Sequence, residues 1–263
     1  MNGKNKSDTP FWYKAALTGA LKFVSSNLPQ TKVALVAGAS GLVGGHLIQA
    51  LLRAPEYSRI LALSRRPLAV EHGKVANRII NFAEIEKILA GTQADEAFCA
   101  LGTTLKKAGS EAAFRKVEVD SVLSFANAAA RAGAKRFVMV SSIGANPASR
   151  HLYLRVKGEI EDALREVNFP AIDILQPGLL LGLRPQFRPL ELLAQIGMPI
   201  ANLFLQGSAT RLRGISAETV GQAMHGAARS GRKSVNRHTY DDIVRLAAWD
   251  KPAYKPIEAK PAN

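Results

Sequence analysis

Residues 33–47 read VALVAGASGLVGGHL. The five apolar residues at 33–37 have the length and composition of a strand buried on both faces, as in a parallel sheet covered by helices. Glycines then fall at positions 38, 41 and 44, and from Leu42 apolar residues recur at helical spacing as far as Arg53. A strand that turns through three such glycines into a helix suits a dinucleotide pyrophosphate. The turn is tight, the backbone can approach the anion, and the free N–H groups of the helix N-terminus face it. Gly38, Ser40, Gly41, Leu42, Val43 and Gly44 are therefore the expected phosphate-binding residues. His46, on the helix that follows, reads as structural.

The same alternation continues outward. Short apolar runs at 60–63, 78–80, 97–100, 136–140 and 172–175 read as further strands, with helical stretches at 42–53, 84–90, 112–132 and 153–167 between them. Strand and helix alternating from 32 to 176 predict an α/β fold, a Rossmann-type doubly wound parallel sheet with right-handed crossovers. The expected organisation is an N-terminal extension at 1–31, a dinucleotide-binding domain at 32–176, a short mostly helical substrate region at 177–248 and a flexible tail at 249–263. Within the extension, Leu17, Leu21, Val24 and Leu28 share a helical spacing behind Phe11, Trp12 and Tyr13. Residues 11–28 suit a helix docked on the domain, a helix lying on a membrane surface, or a transit peptide.

The second strand ends Leu63-Ser64-Arg65-Arg66. An NAD-preferring site usually carries Asp or Glu there to accept from the ribose 2′-OH, and a carboxylate would repel a 2′-phosphate. Guanidinium groups instead pair with phosphate, so Arg65 and then Arg66 predict NADPH over NADH. Asn81-Phe82, after the third strand, is placed for an adenine edge. After the fourth strand, Leu101, Gly102 and Thr103 allow main chain to pass close to the cofactor. Cys99 beside them reads as a buried filler, with no basic partner to activate it.

Tyr153 and Lys157 lie one helical turn apart, on one face of the helix after the fifth strand. An ammonium beside a phenol favours its ionised form, and such a phenol can pass a proton to a carbonyl oxygen. A hydroxyl at the end of the fifth strand, Ser142 or else Ser141, would hold that oxygen. Tyr-x-x-x-Lys alone is a weak motif; its weight comes from opening the helix that follows the strand ending in two serines. Asp120, on the preceding long helix, reads either as an anchor for a water or the lysine or as a helix-surface carboxylate. His151 reads as a loop residue.

Composition sets the outer bounds. A chain of 263 residues needs no disulfide or metal staple, and its single cysteine rules out an internal disulfide or a Cys-based metal site. No metal is expected. No apolar run reaches membrane-spanning length. The net charge of +14 is spread along the chain, heavier for its length at the two ends, without the basic-aromatic cluster of a nucleic-acid face. No nucleic-acid partner is expected. The single cysteine suits a reducing compartment, here the cytoplasm, and the chain should be a monomer or homodimer.

Taken together, GASGLVG (38–44), SRRP (64–67), ALGTT (100–104) with KKAG (106–109), VSSIGAN (140–146), YLRVKGEIE (153–161) and QPGLLLG (176–182) resemble the atypical short-chain dehydrogenase/reductases. More narrowly they resemble the Tat-interacting-protein-like oxidoreductases, over about residues 32–248. The resemblance implies a Rossmann-type domain binding NADPH. It also implies Gly38, Gly41 and Gly44 as the phosphate turn, Arg65 at the 2′-phosphate, and Tyr153 and Lys157 as the active pair, with Ser142 the better match of its doublet. This chain departs from the family at Gln176, where Arg is common, and at Asn81, where Asp is common. The expected activity is NADPH-dependent reduction of a small carbonyl compound. The alternative is a non-catalytic NADPH-binding regulator, since some relatives implied by the resemblance are regulators.

Overall fold

A computed structural model describes residues 31–103, 109–181 and 207–250. By compactness the chain divides into Met1–Thr31 and Lys32–Asn263, and the description concerns the second unit. The expected helix at 11–28, Thr104 with the Lys106-Lys107 pair, residues 182–206 and the tail from 251 lie outside the described residues.

The chain begins with β1 (Lys32–Ala37), α1 (Leu42–Arg53), β2 (Tyr57–Ser64) and β3 (Val75–Ile79). A short turn of 3-10 helix leads to α2 (Ile85–Leu89) and β4 (Glu96–Cys99). The expected helix at 112–132 consists of α3 (Glu111–Arg115), a π-helical turn (Lys116–Asp120) and α4 (Ser121–Arg131). Next come β5 (Arg136–Val140), α5 (Leu152–Ala163), β6 (Ala171–Leu175), β7 (Leu180–Leu181) and β8 (Ile215–Ser216). The chain closes with α6 (Ala217–Arg229), β9 (Ser234–His238) and α7 (Tyr240–Asp250).

Seven strands form one sheet in the order β3-β2-β1-β4-β5-β6-β9, every neighbouring pair parallel. Residues past 176 are mostly helical where described, through α6 and α7, but they also supply β9, a strand the sequence pattern does not reveal. Alternation along the strands explains the layers, because successive side chains point to opposite faces. Leu35 and Ala37 of β1 join one core with Phe114, Phe125, Phe137 and Ile160, under α2, α4 and α5. Ala34 and Val36 join a second core with Leu47, Phe98, Val138, Val220 and Ile243, under α1, α6 and α7. From β1 the chain moves to β2 and β3 on one side and then crosses to β4 on the other. The crevice for a ligand therefore opens at the carboxyl ends of β1 and β4.

Candidate active site

At that crevice β1 runs into the glycine turn. Gly38 holds φ +81°, and a Cβ there would lie 2.6 Å from the Ala100 carbonyl, so the turn after β1 touches the main chain after β4. A Cβ on Gly44 would fall 2.2 Å from the Gly38 carbonyl oxygen. The turn closes on itself through Gly41 N–H donating to the Gly38 carbonyl at 2.9 Å. Gly41 is the N-cap of α1 and no side chain caps that helix. Its first N–H groups are left for a ligand, and the missing Cβ atoms leave room beside them. The residues present thus fit the pyrophosphate of a nicotinamide dinucleotide. Ser40, Leu42 and Val43 lie along the same turn, with Val43 packed into the second core.

Arg65 and Arg66 stand exposed at the end of β2, and among the described residues neither guanidinium has an ion-pair partner. The loop beneath them is fixed: Ser64 Oγ donates to the Arg66 carbonyl at 2.7 Å, and Asn77 Nδ2 donates to Ser64 Oγ at 2.8 Å. Asn81 caps the turn after β3 by accepting from Ala83 N–H at 3.2 Å. A local capping role therefore accounts for this polar side chain.

Tyr153 and Lys157 sit in the first turns of α5, behind the loop that leaves β5. Gly158 lets the helix lie against that loop, since a Cβ there would come within 2.3 Å of Pro147 N. Tyr153 is 42% exposed, with its ring centroid 6.2 Å from that of Phe114. Among the described residues its hydroxyl has no hydrogen-bond partner. Lys157 is 3% exposed, with Nζ 5.9 Å from the Tyr153 ring centroid. Ser142 Oγ donates to the neighbouring Ile143 carbonyl at 3.2 Å, a weak local contact, and shares no hydrogen bond with Tyr153. Ser141 is differently placed. Its hydroxyl is buried and donates to Glu161 Oε1 at 2.6 Å, which leaves Ser142 as the accessible hydroxyl of the doublet.

The lysine's partner is not Asp120, which is exposed, but Glu118, which is wholly buried. Lys157 Nζ lies 2.6 Å from Glu118 Oε2, and Glu118 Oε1 accepts from Thr103 N–H. Burial alone would pull the lysine below its ordinary value. The Glu118 carboxylate, aided by Tyr153, outweighs that penalty and holds the ammonium above it. Glu118 was legible in principle. Phe114, Glu118, Val122 and Phe125 follow one helical stripe, and an acid inside an apolar stripe marks a buried partner.

A second buried carboxylate lies one turn further along α5. Glu161 accepts from Ser141, from Gln176 Nε2 at 2.8 Å and from Arg237 Nε at 2.8 Å. Gln176 thus supplies amide hydrogens, and the balancing guanidinium arrives from β9. Cys99 is buried beside Lys157, and desolvation pushes its thiol up to about 12. Iodoacetamide at pH 8 should leave native Cys99 unmodified over an hour while alkylating the denatured chain fully. Rapid native alkylation would contradict that burial. His46 and His151 take no part in the cluster.

Comparison with known proteins bears on the family and the fold. The profile of the NAD dependent epimerase/dehydratase family matches residues 34–160. Protein FMP52 of Coccidioides immitis is 31% identical over 237 residues, spanning 82% of this chain and 96% of that protein. The chain belongs to the NAD dependent epimerase/dehydratase family. Protein HTATIP2 of Rattus norvegicus is 36% identical over 170 residues, 63% of this chain and 70% of that protein. Among solved structures, the UDP-glucose 4-epimerase of Bifidobacterium longum in complex with NAD+ and UDP has a TM-score of 0.61 at 15% identity. That alignment covers 78% of this chain and 76% of the epimerase, and it shows a shared Rossmann-like fold. One expectation is overturned. FMP52 of C. immitis and that of Candida albicans, 33% identical over 82% of this chain and 94% of that protein, are both named mitochondrial. The cytoplasmic assignment drawn from cysteine content is withdrawn, because a lone cysteine reports redox conditions and carries no address.

Proposed function

We propose that this family member is an NADPH-dependent oxidoreductase of the short-chain dehydrogenase/reductase type, acting on a small aldehyde or ketone. The observation that carries the reading is the half-exposed Tyr153 phenol with the buried Lys157 ammonium over its ring, both on α5, the helix that follows β5 and the Ser141-Ser142 doublet. NADPH, when bound, supplies the hydride. Tyr153 gives its proton to the carbonyl oxygen as negative charge develops there, and Ser142 donates a hydrogen bond to the same atom. Lys157 keeps a positive charge beside the phenolate left behind. The Gly38–Gly44 turn and the N-terminus of α1 hold the pyrophosphate, and Leu101, Gly102 and Thr103 line the approach. A non-catalytic NADPH-binding regulator would need the phosphate turn but no such phenol. It is the outcome indicated if wild-type protein binds NADPH tightly yet turns over no member of a broad carbonyl panel.

The coenzyme preference rests on the end of β2, where Ser64 is occupied locally and no carboxylate follows before Glu71. Arg65 pairs with the 2′-phosphate and Arg66 flanks it. A charge-assisted hydrogen bond contributes ~1.5–3 kcal/mol, so Arg65→Ala should raise the NADPH Kd about 10- to 100-fold. The NADH Kd should stay within about two-fold, because NADH carries no phosphate there. Calorimetric titration with each coenzyme checks this, and equal losses for the two would remove Arg65 from the site.

A further inference from the structure

We infer that Glu118 is a positioning residue of the active site: its carboxylate clamps Lys157 to the main chain of Thr103, joining the catalytic helix to the cofactor-side loop. The inference rests on the reading of Lys157 as a cofactor-binding and catalytic group. Its geometry stands independently. One oxygen of a fully buried carboxylate meets Lys157 Nζ at 2.6 Å, and the other accepts from Thr103 N–H. Thr103 lies just past β4, in the loop where a Cβ added at Gly102 would lie 3.7 Å from Glu118 Oε1. The carboxylate is carried by the π-helical turn Lys116–Asp120, a local widening of the helix that is frequent at functional sites.

A clamp of this kind does two things. It fixes Nζ, so the ammonium meets the cofactor and Tyr153 without searching rotamers. It also cancels the cost of burying a cation, so the lysine stays charged through the working pH range. The groups facing Lys157 are few: Glu118 from the π turn, Tyr153 from its own helix and the buried Cys99 from β4. Cys99 stays neutral below its raised value of about 12. Glu161, one turn on, is engaged with Ser141, Gln176 and Arg237. Glu118 is therefore the carboxylate that sets the lysine's charge.

Glu118→Gln keeps the shape and removes the charge. In the wild type the lysine's raised value keeps it protonated, folded or unfolded, between pH 7 and 9.5, so it adds no slope to stability there. In the variant, burial is uncompensated and the folded lysine sheds its proton within that window, while the unfolded one keeps it. The unfolded state then binds more protons, and the variant's stability rises with pH relative to wild type. The Tm deficit at pH 7 should shrink by about half or more at pH 9.5. The NADPH Kd should move the other way. About five-fold weaker at pH 7, the variant should fall further behind as the ammonium is lost, while wild type stays flat. Opposite trends in two readouts are not the signature of a general packing defect. Glu118→Asp retains charge but is one methylene too short to reach both partners. It should fold, bind NADPH about three- to ten-fold more weakly, and show no added pH slope.

A Gln variant whose Tm deficit runs parallel across pH, or whose NADPH affinity matches wild type throughout, overturns the inference. If the Gln variant does not fold, an Asp variant with wild-type NADPH affinity overturns it alone. Wild-type protein that binds NADPH but reduces no carbonyl would end the reductase reading and leave these binding and stability tests intact. Wild-type protein that binds no NADPH removes the cofactor-side role assigned to Lys157, and with it this inference.

Discussion

Tyr153→Phe should bind NADPH within about two-fold of wild type while carbonyl reduction falls ~10²- to 10⁴-fold, the range a general acid supplies. The substitution removes one oxygen and little else. The ring remains beside Phe114 and under Lys157, and among the described residues the hydroxyl makes no hydrogen bond that would be lost. A Tm within about 1 °C of wild type is therefore expected, since no buried partner is orphaned. Stopped-flow or steady-state oxidation of NADPH against a carbonyl panel gives the rate, and calorimetry gives the affinity. The decisive comparison is kcat against Kd. Should both collapse together, the phenol would be holding cofactor and not transferring a proton. Should neither change, the proton would have to come from elsewhere, and the reductase mechanism would lose its acid.

The reading of the parallel sheet worked because each of its inner strands is covered on both faces, so Leu35, Phe98 and Val138 stand in nearly unbroken apolar runs. Strand β9 follows a different rule. As an edge strand it exposes Ser234, Val235 and Arg237, and its one buried side chain is His238, held through Nε2 by Asp173 at 2.8 Å. No apolar pattern marks such a segment; it is a strand because β6 offers it a free edge and a buried carboxylate. The same limit applies to Arg237. Its pairing with Glu161 joins residues 76 positions apart, a distance at which local periodicity is silent. Glu118 differs, because its place on the Phe114–Val122 stripe marks it as buried. Asp120 is equally close in sequence to that stripe but points to solvent. Which basic group a buried acid meets is decided by how α5 packs on the π turn, which brings Lys157 to Glu118. Local sequence can therefore flag the acid, whereas only the fold names its partner.

Gly44→Ala and Gly45→Ala, adjacent substitutions on the same helix, should have opposite effects. At Gly44 the new methyl would sit 2.2 Å from the Gly38 carbonyl oxygen and 2.9 Å from Ala39 Cα, both main-chain atoms with no flexible end to yield. The turn must open or α1 must shift, and overpacking of that severity costs ~3 kcal/mol or more. For a domain of this size that lowers Tm by about 6–12 °C. Either displacement moves the first N–H groups of α1 away from the anion, so dinucleotide binding should fall below detection in calorimetry. At Gly45 nothing lies within 4 Å of the added Cβ. Alanine is the better helix former by about 1 kcal/mol, so Gly45→Ala should raise Tm by ~2–4 °C with affinity retained. Failure of Gly44→Ala to yield folded protein agrees with the expected strain, provided Gly45→Ala folds normally. A Gly44→Ala protein with wild-type Tm and wild-type NADPH affinity would mean that the pyrophosphate does not rest on this turn.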